Sequence, residues 1–330
     1  MMHRRALLTA VGGAATGLAL LGSAPAAGAA PATTRSGPAE RRAGVYPDVA
    51  DTSHASKRAV AFFRSYYTAK DLRDSDAFME HYLRSQVGYY DGVLGGSVVV
   101  TDWTIMKEAN TQAMSSWAPG ALAYPLRIFG DTNSAIVHFV DTPEMFGAEI
   151  RGLSTFDFKD GRITRQVDYW DGRRNPFITG RAPVDQYPRT LGVEKVRQNA
   201  SPAIDRVARQ LGAAMGAGDA ARSAALFSAD AVFEDLTTRA GLEGRLAIGR
   251  YLHRALPQLP YGPGAVVRHV LGSAQGGGYE WVVDGRPELS GVTALQLDSA
   301  GRITRLSTVW DGSRHSDPAM RSLAALSIED

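Results

Sequence analysis

The chain has 330 residues, 44% hydrophobic and 8% aromatic, with 36 Lys and Arg against 34 Asp and Glu. That length suits two domains of modest size, the composition is that of an ordered chain, and a net charge of +2 with no basic stripe argues against a nucleic-acid partner. Cys is absent, which excludes disulfides, thiolate nucleophiles and Cys-based metal sites, and the seven His fall at no metal-binding spacing.

Residues 1–30 read as an export signal. His3-Arg4-Arg5 precedes a mildly apolar Ala/Gly/Leu run, and Ala27-Gly28-Ala29 offers a cleavage site. Paired arginines ahead of a weakly apolar run point to twin-arginine export; an ordinary secretory signal carrying two arginines is the alternative. The run is too short and Gly-rich to span a bilayer, and no later stretch could do so, so the mature chain is expected not to insert into membranes. Residues 31–53, rich in Pro, Ala, Arg and Ser, are expected to form a flexible leader, with ordered structure beginning near Ser56.

From there the spacing of Val60, Phe63, Tyr66 and Tyr67 predicts a helix over 57–70, and a second helix over 74–83 turns Phe78 and Tyr82 inward. A short strand over 87–91 and a third helix opening at Asp102 and Trp103 follow. Strands are predicted over 122–129 and 134–140, then a hairpin turn through Asp141, then two more strands. After a connector rich in Pro and Gly, the order returns. Helices are predicted over 203–215, 220–227 and 246–256, with a short strand over 231–235 between the last two. Strands follow near 265–272, 279–284, 289–298 and 302–310, and Gly276-Gly277-Gly278 reads as a hairpin turn. This gives an α+β chain with domains at 54–190 and 191–330.

The two halves echo each other. Residues 150–173 read IRGLSTFDFKDGRITRQVDYWDGR and residues 289–314 read LSGVTALQLDSAGRITRLSTVWDGSR, so one duplicated domain accounts for both. The copies differ at one chemically telling place, where Asp168 becomes Thr308. Along 162–171, side chains alternate: Ile163, Arg165, Val167 and Tyr169 share one face, and Thr164, Gln166, Asp168 and Trp170 the other.

The order helix, Gly-Asp, helix, "LFSADAVFED", Gly-x-x-x-Ile, strands, "GRI", "WDG" resembles the NTF2-like superfamily in its SnoaL-like and ketosteroid isomerase-like branches. The resemblance covers both halves and implies two cone-shaped domains, each a curved antiparallel sheet wrapped on three helices around one apolar pocket. It implies that Gln166, Asp168 and Trp170 look into the first cone, where a poorly solvated carboxylate suits proton transfer near neutral pH. It likewise implies acid/base roles for Asp168 and for Asp91 (matched by Asp235) and an oxyanion donor in Tyr66 or Tyr67; His138, mid-strand and taken to match Trp281, is a candidate to polarise oxygen. Trp103, Ser154 and Tyr90 join Trp170 and Gln166 as expected pocket lining. Asp91 before Gly92 is equally ordinary turn chemistry, a Tyr pair on a helix is more often core, and His138 is open to a packing role. The chain departs from each subfamily: Ser154 stands where cyclases hold a His and isomerases a protonated Asp, and Phe139 where limonene-type epoxide hydrolases need an Arg.

The expected function is exported, cofactor-independent acid/base catalysis on a polyketide-, steroid- or terpenoid-like molecule. The second copy would complete an intramolecular pseudo-dimer. The alternatives are a non-catalytic carrier of a hydrophobic ligand and a scaffold whose partner docks on the convex sheet face. No metal or other cofactor is expected.

Overall fold

The structure is a computed structural model that describes residues 51–328; the predicted export signal and nearly all of the predicted leader lie outside the described residues. Asp51 already bridges Arg127, and its carboxylate accepts from Gln296 of the other half at 2.5 Å, so the chain is engaged ahead of Ser56.

In the first half, α1 (Lys57–Asp71) begins where the Ser56 hydroxyl accepts the Ala59 amide, and α2 (Ser75–Met79) where Asp74 accepts the Ala77 amide. The second helix is shorter than its sequence span, and the chain beyond it lays Tyr82 against Ile163. Then come β1 (Tyr89–Asp91), β2 (Val99–Val100), α3 (Trp103–Ser116), β3 (Ala123–Gly130), β4 (Ser134–Asp141), the helical turn α4 (Pro143–Phe146), β5 (Ile150–Lys159) and β6 (Arg162–Trp170). The second half repeats the plan: α5 (Pro202–Gly216), α6 (Ala220–Ala224), β7 (Phe227–Asp235), β8 (Ala240–Glu243), α7 (Arg245–Ala255), β9 (Ala265–Ser273), β10 (Gly276–Val283), β11 (Arg286–Leu297) and β12 (Ile303–Trp310). A closing helix, α8 (Asp317–Ala325), was not foreseen, and Gly276 to Gly278 lie in a strand rather than a turn. The sheets run β2-β1-β6-β5-β4-β3 and β8-β7-β12-β11-β10-β9, antiparallel except for the parallel pairs β1–β6 and β7–β12. The α+β expectation holds.

The shared Gly-Arg-Ile-Thr-Arg motif has a structural cause. In both halves the register slips by one residue, pairing Asp157 with Arg165 but Phe158 with Ile163, and Gln296 with Arg305 but Leu297 with Ile303. Thr164 and Thr304 are the extra residues of two β-bulges, and their hydroxyls donate to the carbonyls of Asp157 and Gln296. The bulge moves Ile163 off the face of Arg165 and into the first core, against strict alternation. The shared Gly has a cause too: a Cβ on Gly152 would meet the Phe139 ring at 2.8 Å, and one on Gly291 the Trp281 ring at 2.4 Å.

Each sheet buries both faces. The inner face of the first packs on Ala59, Phe63, Tyr66 and Tyr67 of α1, and that of the second on Ile204, Val207, Ala208 and Leu211 of α5. The outer faces pack on each other through Phe129, Ile136, Leu153, Val167 and Tyr169 on one side and Leu271, Val292, Ala294 and Val309 on the other. At about 1.5–3 kcal/mol for each fully buried large apolar side chain, this seam is a main source of stability. A scaffold docking its partner on the convex face is thereby corrected, because each convex face is covered by the other half.

A charge cluster sits in the seam. Arg165 donates to Asp157 (3.1 Å), to Glu280 of the second half (2.7 Å) and to the Leu191 carbonyl (2.7 Å). Glu280 also accepts from Tyr169 (3.0 Å) and Thr155 (2.7 Å), and His269 meets Asp157 at 2.8 Å. Burial alone would push the Glu280 carboxyl up, but the Arg165 and Arg268 guanidiniums hold it well below the usual carboxylate range.

Candidate active site

Asp168 lies near the end of β6, with β1 on one side and β5 on the other, so Asp91 and Ser154 are its cross-strand neighbours. Its Oδ1 accepts from Ser154 Oγ at 2.6 Å and Gln166 Nε2 at 2.9 Å, and its Oδ2 accepts from the Tyr89 hydroxyl at 2.8 Å. A carboxylate offers about four acceptor positions, so one on Oδ2 stays open. Behind it, the Gln166 Oε1 accepts from Tyr82 at 2.5 Å and Tyr66 at 3.1 Å. Two phenols on the amide oxygen force the amide NH₂ toward Asp168. Burial, with the charge of Asp168 as the next cause, pushes the Tyr66 and Tyr89 phenols well up, and burial does the same to Tyr82, so all three remain neutral donors. Asp168 and Tyr89 are only half-buried, which leaves the reacting edge reachable.

The predicted residues divide. Asp168, Ser154, Gln166 and Tyr66 form the network, and Trp170 shares their face. Tyr67 packs edge-on against Tyr66, ring centroids 5.1 Å apart, beside the network rather than in it. Trp103 sits at the rim of the first core with the Arg84 guanidinium 4.3 Å from its ring centroid, and its indole N–H meets no partner.

Three expectations need correction. Asp91 is an architectural residue: its Oδ1 accepts the Val93 and Leu94 amides and its Oδ2 the Trp170 indole N–H. Asp235 does the same with Thr237, Thr238 and Trp310, so the arrangement belongs to the repeat. Burial pushes the Asp91 carboxyl up to about 7, against the pull of Trp170 and the two amides. Tyr90 is on the wrong face. It pairs with Val167 and joins the seam, and Tyr89, one residue earlier, is the inward one. His138 is also on the outer face, opposite Leu153, and the residue at its place in the second half is Glu280, because Phe139 and Trp281 are the ones opposite Gly152 and Gly291.

The His138 ring is buried with both nitrogens unpartnered, and burial followed by the charge of Arg127 lowers its pKa from 6.5 to about 4, against Glu234. A base depressed in the fold costs nothing above 6.5, and stability is lost as the pH falls from there toward 4, because the unfolded chain takes up the proton first. The full difference is on the order of 3 kcal/mol. Urea denaturation of His138→Phe should therefore show a flatter acid limb than wild type between those pH values; equal slopes would refute the assignment.

Sequence reasoning missed Tyr82 and Tyr89 as site residues, although Tyr89 is two residues from Asp91 and so shares its face. It also misread Asp141, which is no turn residue: it is buried at the end of β4 and pairs with Lys70 at 2.9 Å. Beside it, burial pushes the Asp71 carboxyl up to about 6.

The second half shows what the fold needs without this chemistry. Aligned by helix caps and strand register, Tyr66, Tyr82, Tyr89, Ser154, Gln166 and Asp168 correspond to Leu211, Phe227, Phe233, Thr293, Leu306 and Thr308. Leu211, Phe227, Phe233 and Leu306 are core residues, and Thr293 and Thr308 meet each other at 3.1 Å. The expected deep pocket is corrected in part. Phe63, Tyr66, Tyr67, Phe78, Tyr82 and Phe156 fill much of the first cone, and two surface concavities, one over α6 and α7 and one beside Arg58 and His81, lie outside both cones. Among the described residues no group of three or more His, Asp or Glu is placed to hold a metal ion, and no helix is long and apolar enough to cross a membrane.

No protein-family model and no curated protein matches the chain. Solved structures that it is similar to are NTF2-like and SnoaL-like proteins. A SnoaL-like protein of unknown function from Burkholderia thailandensis is 16% identical, covering 35% of this chain and 95% of its own, with a TM-score of 0.31. An NTF2-like protein of unknown function from Mesorhizobium loti is 17% identical, covering 36% and 93%, with a TM-score of 0.30. Another, from Cytophaga hutchinsonii, is 12% identical, covering 34% and 88%, with a TM-score of 0.28.

Proposed function

We propose that the first half is a cofactor-independent, SnoaL-like acid/base enzyme and the second half its structural partner. Asp168 takes a proton from the reacting end of an apolar small molecule in isomerase, cyclase or lyase chemistry, or from the attacking water in epoxide hydrolase chemistry. Ser154, Tyr89 and Gln166 aim the carboxylate, and Tyr66 and Tyr82 lock the Gln166 amide. With residues 1–30 read as an export signal, the reaction takes place outside the cytoplasm.

The observation that carries this reading is the substitution of the whole network by apolar and Thr side chains in the second half. The same fold packs well without it, and each buried polar group risks about 1–3 kcal/mol if left unpaired. Polar groups that a fold does not need are kept for chemistry. Ligand binding without turnover is the alternative to this reading. The test is deuterium exchange at the α-carbon of a panel of apolar ketones in D₂O, read by mass spectrometry with the full chain. Exchange above the buffer rate supports the enzyme; saturable binding without exchange favours the carrier.

A further inference from the structure

The second half also shows which space the first leaves open. Helices α3 and α7 start directly after Asp102 and Gly244, and each buries a residue one turn later, Met106 and Ile248. By that alignment Ala109 and Asn110 of α3 correspond to Tyr251 and Leu252 of α7. In the second half the Tyr251 ring lies 5.4 Å from the Phe233 ring, and Phe233 stands between Leu242 and Leu306 in the sheet. Tyr251, Phe233, Leu242 and Thr308 are none of them more than 8% exposed. Their counterparts in the first half are Ala109, Tyr89, Val100 and Asp168, and all four are only half-buried. Val100 is opposite Tyr89 as Leu242 is opposite Phe233, so the accessible positions are neighbours.

The common cause is the missing phenol. The space of Leu252 is refilled, because Asn110 lies 3.9 Å from the sulfur of Met79, which takes the place of Ala224. The space of Tyr251 is not. Tyr89 confirms its depth: burial pushes the phenol well up, yet the side chain keeps accessible surface, as a group at the wall of a cleft does.

We propose that this slot, from Ala109 past Tyr89 and Val100 to the open edge of Asp168, takes one planar six-membered ring of the substrate, and that Ala109 is the residue that admits it. The proposal rests on the reading of Asp168 as the acid/base and adds the size and shape of what reacts there. Tyr251 is the internal guide to fit, since the same helix and strands enclose its ring in the second half. An unfilled apolar space of roughly 150 Å³ is enough to hold a benzene-sized ligand. With a ring ketone in the slot, the proton on the carbon beside the carbonyl passes to Asp168 and the electron pair moves onto the carbonyl oxygen. A deuteron returned from D₂O then labels that carbon.

Two readouts on the full chain keep the slot and the chemistry apart. Binding of para-fluorophenol, followed by fluorine NMR, should saturate at one site and weaken at least about tenfold in Ala109→Tyr, which imports the residue of the second half. Ala109→Leu closes the slot in part and should weaken it less; it also serves if the Tyr variant fails to fold. Deuterium exchange into cyclohexenone should fall at least about tenfold in Ala109→Tyr, at an unchanged or raised thermal midpoint. Ala109-dependent binding with no exchange of any ketone would keep the slot and remove the catalytic reading of Asp168. Absence of saturable para-fluorophenol binding, or binding and exchange indifferent to both Ala109 variants, would overturn the slot and leave Asp168 to be judged on its own.

Discussion

Asp168→Asn should slow proton transfer by about 10²–10⁴-fold, the usual contribution of a positioned acid or base, while leaving the fold intact. Asn keeps the shape of Asp and can still accept from Ser154 and Gln166 through its oxygen. Its NH₂ then faces Tyr89, whose hydroxyl can rotate to accept. What Asn cannot do is receive a proton. Asp168→Thr, which imports the residue of the second half opposite Ser154, should be equally inactive. The rate is read as α-carbon exchange in D₂O and the fold as the thermal midpoint. An Asn variant that exchanges at the wild-type rate removes Asp168 from the mechanism, and one that unfolds reassigns it to the frame.

The largest stability effect is expected at the seam between the sheets. Arg165→Met removes the cation shared by Asp157 and Glu280, both buried, and breaking a buried pair from one side costs about 3–5 kcal/mol. Two features place this case at the low end, about 3 kcal/mol: Arg268 still lies 3.4 Å from Glu280, and His269 remains on Asp157. Adding Glu280→Gln and Asp157→Asn to Arg165→Met should recover much of that loss, since the uncompensated charges are then gone. The pH sign follows from Glu280. Its carboxyl is depressed in the fold, so its contribution is present above the ordinary value of 4.5 and is lost as the pH falls below it. Urea denaturation of the single and triple variants decides the point; a single variant as stable as wild type would show that the cluster contributes nothing.

Much of the fold was legible because the repeat could be read against itself. The helix starts read near residues 57, 74, 102 and 220, and the paired strands around each Gly-Arg-Ile-Thr-Arg turn, are local signals that the structure keeps. The site was legible only as far as alternation held. Asp168, Gln166 and Trp170 share a face as read, yet Tyr90 was chosen over Tyr89, and His138 was matched to Trp281 instead of Glu280. Both errors are slips of one residue, and in a strand that moves a side chain to the opposite face. Thr164 shows why such slips pass unseen: a bulge changes the count without changing the pattern around it. The charge cluster had no local signature, because Arg165 and Glu280 are far apart in the chain and meet only when the sheets dock. Asp141 looked like a turn residue because its partner, Lys70, lies on a helix read for its aromatic residues.

The parallel pairs β1–β6 and β7–β12 carry a consequence for synthesis. Each sheet is finished only when its last strand returns to its first, so the earlier sheet can close once residue 170 has emerged and the later one waits for residue 310. A chain made from the N-terminus thus passes through a stage in which Phe129, Ile136, Leu153 and Arg165 have no cover. During that interval the nascent protein carries a sticky, charged surface that only its own unmade remainder fits, and chaperone dependence is expected to peak there.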